Sequence, residues 1–171
     1  MNSKSGQSGS PVGPAAPDTF HYRLRVRYSE CDAQKVVFNV RYGEYVELAT
    51  TEFVRACGLE GLMVHGPFDY QLVKQTIEWK LPARFDQVLD LSVQPIHLGN
   101  TSFHLGIDFR IAGKSDIIAH AETVYVLTDA ATYEKTPLTD AIRGKLLAAA
   151  RGQVTDYANS RPVERDGSRA S

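Results

Sequence analysis

This chain of 171 residues has little sulfur, with only two cysteines and two methionines. Cys31 and Cys57 lie 26 residues apart, too few for a disulfide framework and in no metal-ligand spacing, so they read as reduced thiols. Charge of one sign is also missing. Nineteen basic residues face 20 acidic ones for a net charge of -1, which excludes a global pull toward nucleic acid or an anionic membrane surface. No apolar run approaches the roughly 20 residues that a membrane helix needs. Residues 2–17 are mostly Ser, Gly, Pro and Ala and lack the apolar core of a signal peptide. The expectation is a cytoplasmic protein with no nucleic-acid or membrane partner, no metal and no cofactor.

What is present is a periodic middle between two polar ends. Residues 1–18 are expected to be a disordered leader, 19–151 one folded domain and 152–171 a disordered tail. In residues 21–28, Tyr22, Leu24, Val26 and Tyr28 alternate with His21, Arg23, Arg25 and Arg27, the pattern of a strand with one buried face. From Asn39 the period changes to that of a helix: Tyr42, Tyr45, Val46, Ala49, Phe53 and Cys57 share one stripe. Asn39 has the side chain of an N-cap, and Gly58 suits the position after the helix end. Four strand-like segments follow, Phe68 to Trp79, Val88 to Leu98, Thr101 to Ile111 and Asp116 to Thr128, and Leu138 to Arg151 reads as a final helix. Short turns at Leu98-Gly99-Asn100 and Ala112-Gly113-Lys114-Ser115 make the later strands antiparallel neighbours. The predicted class is α+β. A five-stranded antiparallel sheet is expected to wrap one long central helix, the hotdog arrangement. One sheet on one helix leaves an edge and a face open, so pairing with a second copy is expected.

The chemistry concentrates in Tyr28-Ser29-Glu30-Cys31-Asp32-Ala33-Gln34-Lys35-Val36-Val37-Phe38-Asn39-Val40-Arg41-Tyr42. Asp32 stands on a short loop before a helix start, where free backbone N–H groups hold an anion or polarise a carbonyl. An ordinary aspartate, with pKa about 4, is ionised at neutral pH and can attack a carbonyl or take a proton from water.

Tyr28-Ser29-Glu30-Cys31-Asp32, followed by Val36-Val37 and Asn39-x-x-Tyr42, resembles the 4-hydroxybenzoyl-CoA thioesterase family of hotdog acyl-CoA thioesterases. Leu81-Pro82-Ala83-Arg84-Phe85-Asp86 and Leu98-Gly99-Asn100-Thr101-Ser102 are similar to that family as well, and the resemblance covers about residues 20–140. It implies hydrolysis of an acyl-CoA to the free acid and CoA, in a homodimer or homotetramer. Asp32 is then the catalytic carboxylate, as nucleophile or general base. The backbone N–H at Asn39 polarises the thioester carbonyl, flanked by Phe38 and Val40. Lys135 and Arg84 are the candidates for CoA phosphates. Lys35 stands where many relatives carry Gly, and a loop that needs φ > 0 there would be strained.

Other residues carry weaker signals. Glu30 could orient the loop but reads more readily as a solvated side chain. His104 and His120 could suggest a metal or an acid–base pair but fit a polar sheet face or a subunit interface better, and His65 lies in a loop after the helix that borders the acyl pocket. Cys31 has no His near it in sequence to activate it. Two other functions compete. A hotdog hydratase or dehydratase needs a His near the central helix, and none occurs between Asp32 and Cys57. A non-catalytic acyl-CoA-binding module retains the fold without turnover.

Overall fold

The computed structural model describes residues 18–62 and 66–159. The expected leader falls outside the described residues except for Asp18, as do His65 and the tail beyond Asn159. The elements run β1 (Phe20–Arg25), α1 (Arg41–Ala56), β2 (Phe68–Trp79), β3 (Val88–Leu98), β4 (Ser102–Ile111), β5 (Ile117–Asp129), α2 (Asp140–Ala148) and β6 (Val154–Asp156). The six strands form one sheet in the order β2-β5-β4-β3-β1-β6.

The sheet differs from the expected five antiparallel strands: it has six and is mixed, because β6 runs parallel to β1. The final helix expected from Leu138 to Arg151 is present as the shorter α2, which packs near the β3 side. β6 is three residues long, too short to show an alternation, and it lies past the expected domain end at residue 151. Its pairing is extended by the His21 N–H on Gln153 O (2.9 Å) and the Tyr157 N–H on Arg23 O (2.9 Å).

The core lies between α1 and the inner face of the sheet. Tyr42, Tyr45, Val46, Ala49 and Phe53 of α1 are buried against Leu89, Leu91 and Val93 of β3 and Phe103, Leu105, Ile107 and Phe109 of β4. Each large side chain of this kind contributes about 1.5–3 kcal/mol on burial. α1 ends at Gly58, whose φ of 67° is the left-handed conformation that Gly adopts without a Cβ clash. The Leu59 N–H bonds Val54 O (3.0 Å) and the Gly58 N–H bonds Arg55 O (2.9 Å), a Schellman closure sealed by the buried pair Val54 and Leu59.

The start of α1 corrects one expectation. The N-cap position is Val40, itself helical in backbone, and no side chain caps the helix, so Asn39 is not a side-chain cap. The chain reaches α1 through a tight turn instead, with Arg41 N–H on Phe38 O (2.9 Å) and Gly43 N–H on Val40 O (3.2 Å). Among the described residues no helix is long and apolar enough to cross a membrane, and no group of three or more His, Cys, Asp or Glu is placed to hold a metal ion.

Candidate active site

Asp32 sits on a small hairpin between β1 and α1. Cys31 bridges to Val37, the Asp32 N–H bonds Val36 O (2.9 Å) and the Lys35 N–H bonds Asp32 O (2.9 Å). Ala33, Gln34 and Lys35 thus form a three-residue loop, which closes with its last residue in the left-handed region. That residue is Lys35, with φ 62°. The requirement for positive φ explains why a Gly suits this place, and Lys35 occupies it at a cost. The side chain of Asp32 stiffens the loop: its Oδ1 accepts from the N–H of Gln34 (2.8 Å) and of Val36 (3.3 Å). No described residue donates to Oδ2, and Asp32 is only half-buried.

The other limb of the hairpin leads into α1. Its Val37 N–H bonds Ala83 O (2.9 Å) and its Phe38 N–H bonds Glu30 O (3.0 Å). No described residue accepts from the N–H of Asn39 or Val40. One short hairpin therefore carries a carboxylate with a free oxygen and two free backbone donors at a helix start, where the helix dipole adds to their pull on an anion. Asn39, Val36, Val37 and Tyr42 line an open groove of about 220 Å³ with Trp79, Lys80, Leu81 and Pro82. Phe38 and Val40 do not line it but lie beside it with 46% and 74% of their surface exposed. Exposed apolar side chains gathered in this way mark a surface that another molecule covers.

Glu30 is not solvated as the sequence suggested; it is 94% buried, being 6% exposed. Its Oε2 accepts from the Tyr45 hydroxyl of α1 (2.9 Å) and from the Arg27 N–H (2.7 Å). Burial, and then the hydrogen bond to Glu30, push the Tyr45 phenol far above its usual pKa, so it stays a donor. Cys31 is a free thiol, and desolvation with the charges of Glu30 and Asp32 raises its pKa, which disfavours a thiolate nucleophile. Burial pushes Cys57 up to about 11.

The two expected phosphate contacts are not brought together in one chain. Arg84 bridges to Val36 beside the hairpin and lines a groove with Leu81, Gln87, Lys114 and Ile118, near the beginning of β5. Lys135 pairs with Thr128 near the end of β5. Ten strand residues separate these ends, about 34 Å. The structure adds two cations that sequence reading missed, Lys80 and Lys114. Neither their side chains nor those of Lys35 and Arg84 have a hydrogen-bond or ion-pair partner among the described residues, although Asp116 also lines the Arg84 groove. Only the fold reveals this grouping, because the four positions lie in three separate turns.

His104 and His120 lie on the outer sheet face, away from α1. The His120 Nδ1 contacts Asp108 Oδ1 (2.7 Å), and Asp108 also pairs with Arg110 (3.2 Å). His104 packs on His97 with ring centroids 4.8 Å apart. Asp90, under β1, pairs with His21 (2.5 Å) and Arg23 (2.9 Å). These histidines stabilise cross-strand pairs and stand on the sheet face opposite α1.

Known proteins share this architecture. An acyl-CoA thioester hydrolase, YbgC, of Escherichia coli O6:H1 is 29% identical over 113 residues, 64% of this chain and 82% of its own length. A putative esterase of Aquifex aeolicus is 31% identical over 110 residues, 63% of this chain and 84% of its own. The crystal structure of a 1,4-dihydroxy-2-naphthoyl-CoA thioesterase from Synechocystis superposes with a TM-score of 0.67 at 19% identity, covering 74% of this chain and 94% of that one, which establishes the shared fold. The sequence pattern of one family matches residues 26–146, from the end of β1 into α2. The hairpin, the central helix and strands β2 to β5 fall inside that match, and the chain belongs to the thioesterase-like superfamily.

Proposed function

We propose that the protein hydrolyses acyl-CoA thioesters to the free acid and CoA, with Asp32 as the catalytic carboxylate. The observation that carries this reading is the hairpin, which holds an unpartnered Asp32 Oδ2 and the free N–H groups of Asn39 and Val40 in one rigid unit. Asp32 attacks the thioester carbonyl, or takes a proton from the water that does. Either route places negative charge on the carbonyl oxygen, which the N–H at Asn39 stabilises, and expels the CoA thiolate; in the first, water then cleaves the acyl–Asp32 anhydride to release the acid and restore the carboxylate. A donor of this kind is typically worth about 3–4 kcal/mol. Phe38, Val40 and Trp79 supply apolar surface for the acyl group, and Lys80, Arg84 and Lys114 supply charge for the phosphates. Every described histidine lies on the outer sheet face, which disfavours a His-dependent hydratase at this groove.

The test is release of free thiol from a panel of acyl-CoAs by wild type and Asp32→Asn. The expected result is a loss of kcat of at least about 100-fold on an unchanged fold. Equal rates would remove Asp32 from the reaction.

The working unit is proposed to be a homodimer paired along β2. This strand is an edge twelve residues long, and Leu72, Val73 and Trp79 on it are exposed. Antiparallel pairing of β2 with its copy sets the Trp79 end of one chain beside the Phe68 end of the other. Phe68 pairs with Asp129 and Asp69 with Thr128, so the same step carries the end of β5, with Lys135, toward the partner's hairpin. That is how Arg84 of one chain and Lys135 of a second copy can serve one CoA.

A further inference from the structure

The 36–38 segment, between Asp32 and the free donors, is held on both sides by phenols from consecutive turns of α1. Tyr42 and Tyr45 are each 1% exposed. The Tyr42 hydroxyl accepts from the Ala83 N–H (3.1 Å), and Ala83 O in turn receives the Val37 N–H (2.9 Å). The Tyr45 hydroxyl donates to the Glu30 carboxylate (2.9 Å), and Glu30 O receives the Phe38 N–H (3.0 Å). The second latch has a feature that the first lacks. Its centre is a buried carboxylate two residues before Asp32, and Oε2 of that carboxylate also takes the Arg27 N–H (2.7 Å), while Oε1 lies 3.2 Å from Arg27 Nε. One side chain thus fixes where the hairpin begins, at Arg27, and ties it to α1, at Tyr45. Its own backbone fixes where the hairpin meets the helix start, at Phe38. A buried carboxylate is retained only when its oxygens are bonded, and here its bonds go to Arg27 and Tyr45, two of the three points that set the spacing between Asp32 and the N–H groups of Asn39 and Val40, while the third, Phe38, is held by the Glu30 backbone.

We infer that Glu30, oriented by Tyr45, is the positioning residue of this site. It does not touch the substrate. It sets the separation between the carboxylate that acts and the donors that stabilise the oxyanion. The inference rests on the reading of Asp32 as the catalytic carboxylate. Bond-making geometry of this sort tolerates little error, so loss of the latch acts on turnover more than on substrate binding, which also draws on Trp79, Lys80, Arg84 and Lys114 outside the latch. Acceptor geometry is what counts. In Glu30→Gln the amide oxygen still receives the Tyr45 hydroxyl and the Arg27 N–H, and the amide nitrogen faces only Arg27, whose side chain is 74% exposed and free to swing away.

The test compares wild type with Glu30→Gln, Glu30→Ala, Tyr45→Phe, Asp32→Asn and Thr139→Ala in thiol release, with thermal melts on the same preparations. Thr139 caps α2 by accepting the Ile142 N–H (3.2 Å), far from the hairpin, so its loss reports on destabilisation alone. Glu30→Ala is expected to lower kcat at least about 100-fold with KM within about threefold, and Tyr45→Phe to lower kcat about tenfold. Glu30→Gln is expected to recover kcat to within about fivefold of wild type, and Thr139→Ala to melt earlier at unchanged kcat. Should Glu30→Ala not fold, Tyr45→Phe against Thr139→Ala decides the matter. Kinetics of Glu30→Ala and Tyr45→Phe that match those of Thr139→Ala overturn the positioning role while Asp32→Asn remains inactive. An active Asp32→Asn overturns the catalytic reading itself, and the positioning role with it.

Discussion

At the scale of single residues, Lys35 is the place where backbone and side chain disagree. The three-residue loop requires the left-handed conformation, and Lys35 adopts it at φ 62° with an exposed side chain that has no partner among the described residues. A non-glycine residue there costs about 1–2 kcal/mol, part of which Gly returns in unfolded-chain entropy. Lys35→Gly is therefore expected to stabilise the protein by about 0.5–1 kcal/mol, read as a melting temperature about 2 °C higher. The same change removes one of the four free cations, so KM for acyl-CoA is expected to rise as Tm rises. A variant that melts lower shows that the loop tolerates Lys without strain. The loop that carries Asp32 into the start of α1 was legible from sequence because the residues of one hairpin are contiguous. The burial of Glu30 was not, since its partner Tyr45 lies fifteen residues along the chain and only the packing of α1 on the hairpin joins them. Asn39 was misread because an N-cap depends on where the side chain turns, which composition does not record.

At the scale of elements, the helical period of α1 and the alternation of β3, β4 and β5 were legible because each buries one face. β2 was the least regular strand, and the structure gives two reasons. A register shift falls between Leu72 and Lys74, and the strand is an edge whose inner face is only partly covered. β1 and β3 are joined on the outer face by Asp90. Burial alone would raise its carboxyl, but the hydrogen bonds and charges of His21 and Arg23 outweigh burial and hold it below the ordinary carboxylate range. A carboxylate with a depressed folded-state pKa contributes stability that is present above its unfolded pKa, about 4, and is lost as pH falls through the folded value. The urea midpoint is therefore expected to drop as pH falls from about 4 to 2. Asp90→Asn is expected to flatten that acid limb and to cost about 1–3 kcal/mol at neutral pH, where the charge is lost and an amide NH2 replaces the acceptor of either His21 or Arg23. An acid limb of unchanged slope in Asp90→Asn assigns the effect to other carboxylates.

At the scale of the whole molecule, the unexplained feature is the separation of the cations. Lys35, Lys80, Arg84 and Lys114 surround the hairpin, whereas Lys135 stands at the far end of β5. The sequence placed Arg84 and Lys135 near one ligand, but a single chain holds them at opposite ends of β5, and no residue pattern shows how two copies meet. The proposed pairing of two copies along the β2 edge would account for both points. A twelve-residue strand paired on one side only, with exposed Leu72, Val73 and Trp79, forms a surface that natural edges avoid unless it is covered. Leu72→Lys is then expected to shift the protein from dimer to monomer in light scattering and to abolish thiol release together with assembly. A sharper measurement mixes subunits. Asp32→Asn and Lys135→Glu are each deficient as homodimers, but a hybrid of the two has one site with an intact Asp32 from one chain and an intact Lys135 from the other. Co-refolded hybrids are expected to regain about half of the wild-type kcat/KM, one site in two. Recovery requires that the site be shared across the β2 seam; hybrids no more active than their parents would place Lys135 outside the CoA site and leave its position at the end of β5 to the strand pairing with Thr128 alone.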